Sequence, residues 1–156
     1  MTGQARPRTL SRMAAVQALY QSEQSELAAE TVIDQFVRHR FGDTPLAGTL
    51  EDGFVKQVEI PLFARIVRTA AAQQDTLDAM LVAALPETWP MARLDPVLRA
   101  LMRAGGAELW MADGPPAKVV INEYLDVAHG FFSGDEPRLA NGVLDRLAHL
   151  LRPDEF

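Results

Sequence analysis

The sequence contains no cysteine. That absence excludes a disulfide scaffold, thiolate zinc sites, iron–sulfur ligation and a thiol nucleophile. Long apolar runs are also missing. The longest charge-free apolar stretch on a helical pattern, Ala79 to Pro86, is far too short to cross a bilayer. No apolar segment follows the arginines of the opening MTGQARPRTLSR, so no secretory signal is expected. Period-2 alternation is nowhere sustained, which leaves little for a β-sheet. There is no phosphate-cradling loop and no dinucleotide glycine pattern. His39, His129 and His149 lie far apart without metal-ligand spacing and read as surface or helix-end residues. No serine is accompanied by a suggestive histidine and aspartate. Nothing in these residues asks for an enzyme, so no catalytic residue, metal or cofactor is assigned.

What is present is a chain of 156 residues, 48% apolar and 23% charged. This suits one soluble domain over 1–156, with residues 1–9 a flexible lead. The net charge of −6 argues against a bulk, nonspecific nucleic-acid binder. Its distribution is uneven. Residues 1–20 hold Arg6, Arg8 and Arg12 and no acid, a local +3, which leaves −9 for the remainder. Two readings stay open: a soluble, unstructured start, or a localised anion contact on an acidic body.

Helical periodicity recurs along the chain. A first helix is predicted over about Leu10–Glu23, capped by Thr9 or Ser11, with Leu10, Met13, Ala14, Gln17, Leu19 and Tyr20 on its stripe. A second follows Glu30 and ends near Arg40. Gly42, Pro45, Gly48 and Gly53 make the next segment a loop. A long helical stretch runs from Pro61 to Leu85, and its apolar stripe is interrupted by Gln73 and Gln74. The interruption reads either as a break or as polar groups shown to a ligand. Asp95 caps the next helix and Pro96 opens it. Val97, Leu98, Leu101, Met102, Gly105 and Leu109 form its buried side. The pair Gly105-Gly106 costs roughly 1 kcal/mol of helix propensity per glycine. It reads as close approach of another backbone or as a local bend. Another helix spans Val119–His129. A last one follows Asp135, which can cap it, and continues through Asn141-Gly142 because the periodicity does. The fold expected is all-α, a bundle of six to seven helices.

Two aromatic clusters sit near positive charge or in a connection. Arg38-His39-Arg40-Phe41 reads as a helix C-terminus favoured by the dipole or as a binding cluster. Phe131-Phe132 reads as a staple beneath the last helix or as a nucleobase stack.

The residues resemble a known family. Arg12 with AVQALY over 15–20 is one matching segment. Trp89, Arg93-Leu94, Arg103 and Glu108-Leu109 make a second. The most specific is KVVINE over 118–123, followed by NGVLD over 141–145. Together they resemble the bacterial NusB antitermination factors over nearly the whole chain. The resemblance implies an all-α fold and a non-catalytic RNA-binding role in transcription antitermination. It implies pairing with NusE, which is also a small-subunit ribosomal protein, and binding of single-stranded boxA RNA. It places the protein in the cytoplasm, in the RNA polymerase antitermination complex that promotes ribosomal RNA transcription. Carried over residue by residue, it points to Arg6, Arg8, Arg12, Gln73, Gln74, Asp135 and Arg138 for RNA. It points to Tyr20, Leu98 and Arg99 for the protein partner. Asn122, Glu123, Asn141 and Asp145 would cap or bridge helices. Self-association into a homodimer is left open. The alternative is a helical targeting module like the one preceding the catalytic domain of some ribosomal RNA cytosine methyltransferases.

Overall fold

The computed structural model describes residues 7–42 and 58–156. Among them are seven α-helices and no strand. They are α1 (Pro7–Ser25), α2 (Ala29–Phe36), α3 (Ile60–Ala72), α4 (Gln74–Ala84), α5 (Pro96–Trp110), α6 (Ala117–Phe131) and α7 (Glu136–Leu151). A π-helical turn, Val37–Gly42, prolongs α2, and short 3₁₀ turns cover Met91–Arg93 and Pro153–Glu155. Most of the loop expected over 42–53 lies outside the described residues. The chain divides into two compact units, Met1–Arg68 and Thr69–Phe156.

In the first unit α1 starts earlier than its periodicity suggests. Pro7, well suited to a first helical turn, opens it, so of the expected lead residues 7–9 are helical and 1–6 lie outside the described residues. Neither Thr9 nor Ser11 is the cap. Ser11 is buried inside the helix, where its hydroxyl accepts the Glu59 N–H at 2.7 Å and lies 3.0 Å from the Glu59 and Pro7 carbonyls. Leu10, Ala14, Ala18 and their neighbours Ala15 and Leu19 form the buried stripe, whereas Gln17 faces solvent. Gln21 donates to Gln35 at 2.7 Å, tying α1 to α2. Arg68 grips Glu30 with two bonds of 2.6 and 3.0 Å. The 38–41 cluster turns inward at its end. Phe41 meets Phe63 edge-on at 4.8 Å, Phe36 stacks on Phe63 at 5.5 Å, and Arg40 lies over the Phe36 ring at 4.6 Å.

In the second unit α5 is the central element. Leu98 and every residue from Ala100 to Leu109 except Arg103 are buried. Asp95 caps it as expected, accepting the Val97 N–H at 2.8 Å. The helix runs through Gly105-Gly106 without a break, and the close neighbours there are side chains. A Cβ at Gly105 would stand 2.9 Å from Leu144 of α7 and 3.4 Å from Tyr124 of α6. One at Gly106 would stand 3.3 Å from Leu147 and Leu77. The glycines are there because three neighbouring helices pack on that face. Each fully buried leucine at this junction contributes about 1.5–3 kcal/mol.

Polar groups lock the packing. Tyr124 donates to buried Glu108 at 2.8 Å. Arg103 forks onto Asp78 of α4 at 2.8 and 3.0 Å. Arg152, just past α7, is almost wholly buried and donates to the carbonyls of Leu109 (3.0 Å), Glu108 (2.9 Å), Met111 (2.6 Å) and Pro115. It thereby braces the carbonyls around the end of α5, where Glu108 also accepts the Met111 N–H at 3.1 Å and Met111 the Gly114 N–H at 3.4 Å. Glu155 accepts the Ala117 N–H at 2.7 Å, capping α6 from outside. That bond, reinforced by Arg152, holds the Glu155 carboxyl below the ordinary carboxylate range.

The long helix expected over 61–85 is two helices. Gln73 departs from helical geometry (φ −107°, ψ 19°) and separates α3 from α4. Asp135 does not cap α7; its side chain makes no cap hydrogen bond. Helix α7 passes through Asn141-Gly142 without interruption. Asn122, Asn141 and Asp145 are exposed instead of bridging helices, and Asp145 pairs at 3.7 Å with His149 of its own helix. No helix among the described residues is long and apolar enough to cross a membrane.

Two outcomes follow for the Arg152–Glu155 corner. Arg152→Ala should cost about 3 kcal/mol in denaturant unfolding, because it removes a buried guanidinium that donates to four carbonyls at once. Arg152→Lys should recover only a minor part, since an ammonium cannot reproduce the planar fork; a loss below about 1 kcal/mol for the alanine variant would contradict the role. The depressed Glu155 carboxyl contributes stability that is complete above the ordinary carboxylate pKa and disappears as pH falls through its lower folded value. Glu155→Gln should therefore flatten the acid limb of a stability–pH curve.

Candidate nucleic-acid interface

Arg138, Gly142 and Arg146 stand four residues apart on α7 and so share one face of the helix. All three are exposed. Facing them are Ala84 and Pro86 at the end of α4 and the half-buried Trp89 in the connection that follows. Together with Asp135, Leu139 and Val143 they line a groove of about 350 Å³. Arg146 is not loose in this groove. It donates to the Ala84 carbonyl at 2.7 Å, the last residue of α4, so its stem is pinned while other N–H groups remain available. A second cleft of similar size opens on the far side of Arg146, lined by Met80, Ala83, His149 and Leu150. The first groove offers one aromatic wall, two guanidiniums and one carboxylate, a formal +1 on a chain of −6. Such a surface suits a phosphate backbone with an unstacked base better than it suits a neutral metabolite.

The expected RNA residues separate into groups. Asp135 and Arg138 meet in the groove. Arg8 is exposed on the first turn of α1, 3.7 Å from Glu59. Arg6 lies outside the described residues. Arg12 departs from expectation: its side chain is 2% exposed and is engaged within the protein, so it does not present a free guanidinium to solvent. Gln73 is half-buried and Gln74 exposed at the start of α4. That is ten residues before Ala84, about 15 Å along the helix, so they are not part of this groove. Among the partner residues, Tyr20 is 38% exposed. Leu98 is corrected outright: it is completely buried on α5 and presents no surface. Arg99 is half-buried and donates to the Leu94 carbonyl at 2.7 Å and the Met91 carbonyl at 3.2 Å, bracing the 3₁₀ turn. Phe131 and Phe132 are half-buried and tilt against each other with centroids 6.3 Å apart.

Trp89, Gly142 and Arg146 were not singled out by sequence reasoning as site residues. The signal available was the Arg–Gly–Arg ladder at four-residue steps on the polar side of α7. Trp89 carried no such signal, because its place opposite that ladder is a tertiary fact.

Comparison with known proteins gives the family. The model of the NusB family matches residues 9–149. The transcription antitermination protein NusB of Granulibacter bethesdensis is 60% identical over 156 residues, spanning all of this chain and 96% of its own. The chain belongs to the NusB family. The NusB of Gluconobacter oxydans is 52% identical over 143 residues, covering 92% of this chain and 87% of its own. The solved structure of T. maritima NusB superposes with a TM-score of 0.73 at 24% identity, over 98% of this chain and 99% of that one, and so shares the fold. Membership makes this chain a non-catalytic antitermination factor. The NusB fold here is the all-α bundle that the periodicity predicts.

The burial of Arg12 separates it from Arg8 in a testable way. Arg12→Ala should lower stability by about 2 kcal/mol in urea unfolding, because it removes a buried charge and frees its partners. Arg8→Ala should leave stability within about 0.5 kcal/mol.

Proposed function

We propose that this NusB protein binds single-stranded boxA RNA jointly with NusE. In this reading it acts in the cytoplasm, within the RNA polymerase antitermination complex that promotes ribosomal RNA transcription. The observation that carries the proposal is family membership along the whole chain. The α7 ladder facing Trp89 supports it physically, since an acidic protein that binds RNA needs its few cations gathered beside a stacking surface. Arg138 and exposed Arg8 are the proposed phosphate contacts, with Arg6 alongside Arg8 in sequence. Gln74, and Gln73 in part, offer amides to bases. Asp135 sets a negative edge on the groove and selects against close phosphates there. Tyr20, with a ring partly in solvent, is the proposed contact for NusE, while Arg99 acts only by bracing backbone.

A handful of phosphate contacts makes modest affinity, so the partner supplies much of the grip by sharing the strand. The test is a titration of a boxA RNA oligonucleotide against the protein, with and without NusE, at two salt concentrations. Tighter binding in the presence of NusE is expected. The double variant Arg8→Ala/Arg138→Ala should weaken binding and flatten the log–log salt slope by about 1.4, using about 0.7 per lost contact on a single strand. Equal affinity and slope in wild type and variant would reject these contacts. Absence of RNA binding with NusE present would reject the function.

A further inference from the structure

Gly142 is anomalous. It is the seventh residue of the sixteen-residue α7, well inside the helix, where glycine is costly relative to alanine. Packing does not demand it. Among the described residues no atom lies within 4 Å of where its Cβ would be, in contrast to Gly105, where Leu144 is 2.9 Å away. Gly130 is similarly open, but it sits in the last turn of α6, where glycine is an ordinary helix-ending residue. Gly142 alone leaves an unfilled notch in mid-helix, and that notch opens into the groove, between Arg138 and Arg146 on one side and Trp89 on the other.

We infer that this notch is a subsite for one splayed-out nucleotide of the bound RNA. The base lies against the Trp89 ring over the bare backbone of Gly142, and Arg146 holds the adjoining phosphate. The inference rests on the RNA-binding reading given above and adds a location and three residues to it. The chemistry fits each part. A tryptophan face stacks on any base without reading its sequence. A missing Cβ lets a flat ring come close to the helix. Arg146 is held by the Ala84 carbonyl, so its remaining donors need little further ordering to meet a phosphate. Its position between the two clefts gives the strand a way onward, from the Trp89 groove past the guanidinium toward His149. The Asp135 carboxylate at one end of the groove disfavours a phosphate directly against it.

The probe is the boxA oligonucleotide, used with the full-length protein and NusE. Gly142→Ala should raise the melting temperature by about 2–5 °C, as alanine improves the helix without a clash. The same variant should bind the RNA about tenfold more weakly, because the methyl occupies space the base needs. In a Trp110→Phe background Trp89 is the sole tryptophan, and its fluorescence should be quenched when RNA is added. Arg146→Gln should keep the melting temperature and lower the salt slope by about 0.7. If wild type binds RNA while Gly142→Ala binds equally well, the subsite is refuted and the RNA-binding function stands. An unquenched Trp89 in an RNA complex refutes it too. If wild type binds no RNA, both readings fall together.

Discussion

The approach of α7 to α5 across two glycines is the constraint on which the rest of the second unit depends. A side chain at Gly105 would meet the Leu144 methyls at 2.9 Å, and that leucine would have to repack. The inward face of α7 is fixed by that contact, and a helix fixed on one face is fixed on the other. Arg138 and Arg146 gain their places in this way. They are surface residues whose positions are set by apolar packing beneath them, at Val143, Leu144 and Leu147.

The acidic balance of the chain gives those positions their meaning. With 21 carboxylates against 15 basic side chains, cations are scarce, and several are already committed. Arg103 is spent on Asp78, Arg68 on Glu30, Arg38 on Asp34 and Arg152 on backbone carbonyls. What remains exposed beside an aromatic ring is a small set, which suits selective contact with a nucleic acid more than general attraction.

Much of the fold could be read from the residues because helix signals are local. Asp95-Pro96 starts α5 by a side-chain cap and a preset φ, and the structure shows both. The periodicity of α7 overrode the turn signal of Asn141-Gly142 correctly, since three-and-four spacing on both sides cannot be kept by a reverse turn. The site was less legible. Leu98 lies on the apolar stripe of α5, and burial followed the stripe rather than the family position. Arg12 sits next to Ser11 and about one turn before Ala15, both buried, and a charge count cannot tell a gripped guanidinium from a free one. Trp89 lies in an irregular connection with no period to reveal its direction. Gln73 shows the intermediate case: the gap in the stripe located a helix break, while the purpose of the exposed amides beside it stays with the proposal.

The corner held by Arg152 bears on the order in which the molecule is made. The last carbonyls of α5 belong to residues 108–111, and the guanidinium that satisfies them is synthesised some forty positions later. As the chain leaves the ribosome, α5 and α6 emerge without the residue that closes their ends, and α7 is complete only just before it. This part of the second unit's polar lining can therefore close only after α7 has been made.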